Sequence, residues 1–254
     1  MLIEKLVKAL IIAIFSSAMA GLIQAKELTV SAAASLNNAF KEMAVQYETK
    51  HPDTKILFNF AASGTLLQQI DKGAPVDVFA SADQETMNQA QQKQLIRETS
   101  RKNFINNTLV VVTPINSSLV FKSLDDLAQD AIKKIAVGNP AYVPAGNYSQ
   151  HLLMASKQWD RLKAKFIYTQ NVRQALDYVA RAEVEAGFVY GSDAAIMQDK
   201  VKVVFTAPLS KPVSYPVAIV AKSKQQQQAQ EFIDYLLSDE AQQILVKYGF
   251  QPRQ

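Results

Sequence analysis

The chain has 254 residues, 48% of them hydrophobic, enough to bury one large core or two modest ones. Its 27 Lys and Arg against 23 Asp and Glu leave a net charge of +4, but the basic residues are scattered and not interleaved with aromatics, which argues against a nucleic-acid surface. Cysteine is absent, which excludes disulfides, thiol chemistry, cysteine-ligated metals and a cysteine-linked lipid anchor.

Lys5 and Lys8 form a basic start, Ala9 to Phe15 is a short apolar run, and small residues follow. That order is the order of a secretory signal peptide over residues 1–25, with cleavage expected after Ala25. The uncharged stretch from Leu10 to Ile23 is short for a bilayer span, so the mature chain is expected to be a free periplasmic protein.

Leu28 and Val30 alternate with polar neighbours into Ser31-Ala32-Ala33-Ala34-Ser35, after which Leu36, Phe40, Met43, Ala44 and Tyr47 recur at the helical period. The pattern predicts a strand, a tight turn and a helix, with Ser35 as the N-cap. A helix start leaves backbone N–H groups unpaired and carries about half a positive charge, so a small-residue turn there can hold an anion. Lys55 to Phe60 is β-like, and Ala61-Ala62-Ser63-Gly64-Thr65-Leu66 repeats the theme before Gly73 and Pro75. Val76 to Ala80 reads as a third strand, and Ser81-Ala82-Asp83 caps a helix through Met87 to Leu95.

The alternation resumes at Leu109 to Pro114, with a capped helix at Ser123 and a strand from Ile135 to Val137. A turn-rich loop, Gly138 to Tyr148, feeds a helix containing His151 to Met154. Phe166 to Tyr168 leads through Thr169-Gln170-Asn171 into a helix with Val172, Ala175, Leu176 and Val179 on one face. Ala186 to Asp193 is again strand, turn and helix start. Val201 to Phe205 and Tyr215 to Ala221 are strand-like, and two helices close the chain before Gly249.

Repeated strand–helix units predict an α/β architecture with largely parallel sheets. Two series of units predict two lobes, residues 26–106 plus 213–254 as lobe I and 107–212 as lobe II. Two crossover segments join them, and a ligand cleft is expected where the carboxyl ends of the strands face each other. The turns that gather there contain Ser35, Ser63, Pro144-Ala145-Gly146, Asn171-Val172 and Tyr190-Gly191. They offer hydroxyl and backbone N–H donors without a charged side chain, which suits a small oxyanion carrying no proton.

Together with Gln69-Ile70, Gly73-Ala74-Pro75-Val76-Asp77-Val78-Phe79, Val137-Gly138-Asn139-Pro140, Val143 to Tyr148, Asn171 to Leu176, Val189 to Ala194 and Tyr248-Gly249-Phe250, these turns cover nearly the whole mature chain. In order and spacing the set resembles the periplasmic molybdate-binding proteins of molybdate ABC transporters, in the type II periplasmic-binding-protein class. The resemblance implies a two-lobed monomer that is not an enzyme. It needs no cofactor, binds molybdate or tungstate, and docks on a membrane permease. It also implies the ligand set: Ser35 and Ser63 through side chain and backbone, Ala145 and Val172 through backbone N–H, and the Tyr190 hydroxyl. Molybdenum enters as the oxyanion, not as a bare cation. One departure is Gly64, which stands where some relatives have another serine.

Other polar residues take plainer roles. Arg173 is expected in a structural ion pair, Asp77 and Asp83 in turn capping, His151 on a helix surface, and Trp159 in packing. Two alternatives remain. A sulfate or other oxyanion site would keep the same turns with a different cavity size. An exported serine hydrolase would use Ser35 or Ser63 with a histidine base, but only two histidines and no Gly-x-Ser-x-Gly elbow are present.

Overall fold

The computed structural model describes residues 26–253, so the expected signal segment 1–25 lies outside the described residues. The first sheet holds β1 (Lys26–Ala33), β2 (Thr54–Ala61), β3 (Val78–Ala80), β4 (Lys102–Asn107) and β10 (Val213–Ile219), in the order β2-β1-β3-β10-β4. The second holds β5 (Leu109–Pro114), β6 (Ile135–Gly138), β7 (Phe166–Thr169), β8 (Ala186–Tyr190) and β9 (Val201–Thr206), in the order β7-β6-β8-β5-β9. Each sheet is one lobe. The chain passes from the first to the second through Thr108 and returns between Thr206 and Val213.

The sheets are mixed, which corrects the expectation of largely parallel ones. β1 is parallel to β2 and β3, and β6 to β7 and β8. β10 is antiparallel to both its neighbours, and so is β5. The crossovers dictate this. The outgoing strand pair β4–β5 and the returning pair β9–β10 lie side by side, so they run in opposite senses within each sheet.

Helices cover both faces of the first sheet. Val78 and Ala80 of β3 point into a core shared with α1 (Asn37–Lys50), α8 (Gln226–Leu236) and α9 (Asp239–Lys247), where Phe40 packs edge-on to Phe232. The intervening Phe79 points the other way, into a cluster with Leu66, Leu67 and Ile70 of α2 (Ser63–Asp71) and Met87 of α3 (Gln84–Gln92), as strand alternation requires. In the second lobe α4 (Pro144–Ala155) and α6 (Val172–Ala180) flank β6 and β8, α6 burying Val172, Ala175, Leu176 and Val179 as its period predicts. Short helices α5 (Trp159–Leu162) and α7 (Gly191–Ala195) complete it, with Trp159 packed on Phe166. Among the described residues no helix is long and apolar enough to cross a membrane.

Three local readings change. α4 begins at Pro144, so Ala145 and Gly146 lie in its first turn and not in the preceding loop; proline fits the first helical position, where its missing N–H costs nothing. The segment Lys102–Asn107, to which the sequence pattern assigns no element, is strand β4. The helix capped by Ser123 is a short 3-10 turn, Leu124–Ala128, closed by a capping box with Asp126.

Candidate functional site

All five residues of the expected ligand set line one cavity between the lobes. Ser35 lies in the 3-10 turn that follows β1 and Ser63 in the first turn of the helix that follows β2, both in the first lobe; Ala145, Val172 and Tyr190 come from the starts of α4 and α6 and the end of β8 in the second. The volume is about 10 Å³, room for about one water. Alanine, valine and proline make up most of the remaining lining, and among the described residues no carboxylate lines it.

Ser35 is not the helix cap that its position suggested. The chain enters the helix early, through a 3-10 turn over Ala34–Leu36, and no side chain caps either this turn or α1. The Ser35 hydroxyl instead lies buried, 2.9 Å from the Tyr215 hydroxyl. Ser63 occupies the first turn of α2 behind Ala62, and its Oγ accepts the N–H of Ala82 at 3.0 Å. With that acceptor position filled, the Ser63 proton is left to point elsewhere. Val172 opens α6 immediately after Asn171, whose side chain accepts the N–H of Gln174 at 3.0 Å. The first N–H groups of α2, α4 and α6 have no acceptor within their own helices, and all three helix starts border the cavity.

Tyr190 is 1% exposed, and its hydroxyl has no hydrogen-bond partner among the described residues. Burial pushes its ionisation well above the usual phenol range, helped by the neighbouring Tyr215, Tyr148 and Asp83, so it remains a neutral donor. Its backbone is held by Asp193, whose carboxylate accepts the Tyr190 N–H at 3.2 Å.

Arg173 makes the structural ion pair that was expected. Its Nε stands 2.6 Å from Oδ1 of the fully buried Asp193. The same guanidinium also reaches across to the other lobe, donating to the Ser35 carbonyl at 3.0 Å and to Asn38 Oδ1 at 2.9 Å. A second link between lobes runs from the Gly64 N–H to the Tyr142 carbonyl at 3.0 Å. A Cβ at position 64 would sit 2.7 Å from that oxygen and 2.8 Å from Tyr142 Cα. Glycine here therefore permits a close approach of the lobes, a role invisible from the motif alone.

Asp83 caps α3 by accepting the Thr86 N–H, and Asp77 accepts from the Thr29 N–H and the Ser223 hydroxyl. His51 stacks on Tyr47, and His151 sits on the exposed side of α4. The polar partners of Ser35 and Ser63 are thus Tyr215 and Ala82, not a histidine base. Tyr215, Asn107 and Tyr142 went unmarked in the sequence. Tyr215 reads there simply as one apolar position of a strand.

The model of the family described as bacterial extracellular solute-binding protein matches residues 28–251. The chain belongs to that family. This solute-binding protein is 40% identical over 246 residues to the molybdate-binding protein ModA of Escherichia coli, an alignment covering 94% of this chain and 95% of that one. It is 38% identical over 231 residues to ModA of Haemophilus influenzae, covering 88% of this chain and 89% of that one. Among solved structures, the periplasmic molybdate-binding protein of Azotobacter vinelandii superposes on the solute-binding protein with a TM-score of 0.79, over 89% of this chain and 100% of that one. At 22% identity it speaks for the two-lobed fold alone.

Proposed function

We propose that this protein binds one molybdate or tungstate ion between its lobes outside the cytoplasm and, as a monomer without catalytic activity, delivers it to the membrane permease of an ABC importer. The observation that carries the reading is the Tyr190 hydroxyl, buried, neutral and unpartnered at a cavity otherwise furnished with hydroxyl and helix-start N–H donors. An orphaned buried donor is costly, at about 1–3 kcal/mol, unless an acceptor arrives to satisfy it. The relatives named molybdate-binding supply the ion.

Ser35 and Ser63 on lobe I, which keeps Asn107 as the last residue of β4, take the ion first. Ala145, Val172 and Tyr190 on lobe II, beyond the Thr108 crossover, complete the shell when the lobes close. The ion needs more room than one water, so loading requires the lobes to part. Each hydrogen bond to the dianion contributes about 1.5–3 kcal/mol before association costs, and the helix starts add their dipoles. Because no carboxylate lines the cavity among the described residues, the site offers a protonated anion no strong acceptor, so it disfavours hydrogen phosphate and favours oxyanions fully ionised at neutral pH. Between molybdate and sulfate, equal in charge and shape, cavity size discriminates.

Isothermal titration of the chain from Lys26 onward with molybdate, tungstate, sulfate and phosphate tests this. One-to-one binding of the first two, with the others silent, is the expected result. Binding of sulfate alone would keep the site and overturn the ion; silence throughout would overturn the site.

A further inference from the structure

A buried chain of polar groups runs from the crossover to the Ser35 hydroxyl, and two backbone donors fix its direction. Asn107, at the end of β4, has its Oδ1 2.9 Å from the N–H of Thr108 and 3.3 Å from the N–H of Ser192. Both are backbone donors, so that atom is the acceptor oxygen and the amide cannot be turned over. Its Nδ2 therefore donates, to the Ser192 hydroxyl at 2.8 Å and to the Tyr215 hydroxyl at 3.2 Å. With Tyr215 accepting on that side, its single proton goes to its other partner among the described residues, Ser35 Oγ at 2.9 Å. Ser35 then accepts from Tyr215 and keeps its own proton for the cavity that it lines.

We propose that Tyr215 is a positioning residue for the bound oxyanion: by donating to Ser35 Oγ it turns the serine proton toward the ion, and Asn107 sets the direction from the crossover. The inference rests on reading the cavity as an oxyanion site. Direction matters because a Ser35 hydroxyl turned the other way would meet the anion with lone pairs. Tyr215 is fully buried and absent from the cavity lining, so it acts only through its neighbours. Its ring packs edge-on against Tyr190, Phe104 and Phe250, contacts that Tyr215→Phe retains while removing the hydroxyl.

The test is a double-mutant cycle read by molybdate titration, with thermal melts of the unliganded proteins alongside. Ser35→Ala is expected to weaken binding on the order of 10- to 100-fold, the loss of one hydrogen bond to a charged group. Tyr215→Phe is expected to weaken it about 3- to 10-fold, the loss of a polarising, orienting neighbour. In the Ser35→Ala background Tyr215→Phe should have no further effect. Unchanged or tighter binding by Tyr215→Phe, or losses that simply add, would overturn the proposal, because a merely structural tyrosine would not act through Ser35. Should Tyr215→Phe fail to fold, Asn107→Ala enters the same cycle from the other end, with the same outcomes. Failure of the underlying reading looks different: the wild type binds no oxyanion, or Ser35→Ala binds like wild type.

Discussion

Gly64→Ala will weaken oxyanion binding while leaving the unliganded protein at least as stable. Position 64 lies in the first turn of α2 without a positive φ, so alanine suits the local backbone, and in a helix interior it is worth about 0.5–1 kcal/mol over glycine. The penalty arises only across the lobes. The new Cβ would stand 2.7, 2.8 and 2.9 Å from Tyr142 O, Cα and Cβ, the first two backbone atoms that cannot swing away. Overpacking of this kind costs about 1–3 kcal/mol, and loss of the hydrogen bond from the Gly64 N–H to Tyr142 adds about 0.5–1.5 kcal/mol. Closure therefore becomes harder by roughly 1.5–4.5 kcal/mol, a loss of affinity between about tenfold and a thousandfold. Titration calorimetry measures the affinity, and a thermal melt without ligand measures the fold. Wild-type affinity in this variant would refute the argument, since it would mean that the lobes close without this approach.

Tyr190→Phe removes an unpartnered buried hydroxyl, so the unliganded melting temperature should hold or rise while molybdate affinity falls about 10- to 100-fold; a drop in stability with affinity intact would reverse the assignment. Arg173→Leu strands the fully buried Asp193 carboxylate and should cost about 3–5 kcal/mol in urea unfolding, with Asp193→Asn milder; a wild-type denaturation midpoint would show that the pair is not structural. Alkaline unfolding should be steep. Burial raises the ionisation of Tyr47 and Tyr235 to about 12, and that of Tyr148, Tyr190 and Tyr215 above the usual phenol value as well. Above about pH 10 the unfolded chain releases these protons and the native one holds them, so stability falls as pH rises, by about 1.4 kcal/mol per pH unit for each such phenol. Melts followed by circular dichroism across that range check the sign; a flat profile would contradict it.

The turns that hold the proposed ligand set were legible because each follows a strand and opens a helix, a pattern written locally, whereas the particular donors within them were implied by the family resemblance. What those residues touch was not. Ser35 looks like a cap because serine before a periodic run usually is one; only its distant neighbour Tyr215, 180 residues along the chain, shows that its hydroxyl is engaged elsewhere. Gly64 looks like a lost hydroxyl until Tyr142 is brought against it. β4 escaped notice because Lys102–Asn107 offers only Phe104 and Ile105 as apolar residues and pairs, at the sheet edge, with the much later β10. The start of α4 was misjudged because proline and glycine near Ala145 signal a loop as readily as a first helical turn. For Ser35, Gly64 and β4 the missing information was a contact between segments far apart in sequence.

The placement of β10 between β3 and β4 bears on how this chain becomes a protein at all. Every strand of the second sheet lies between Leu109 and Thr206, so that sheet has all its strands once residue 206 has been made. The first sheet does not. Until residues 213–219 arrive, β3 keeps an open edge and β4 has no neighbour in its sheet, although both are synthesised early. The lobe that begins the sequence is therefore the one that finishes last, and a chain cut short before Val213 would carry an unpaired strand edge, the feature most prone to pairing with another copy.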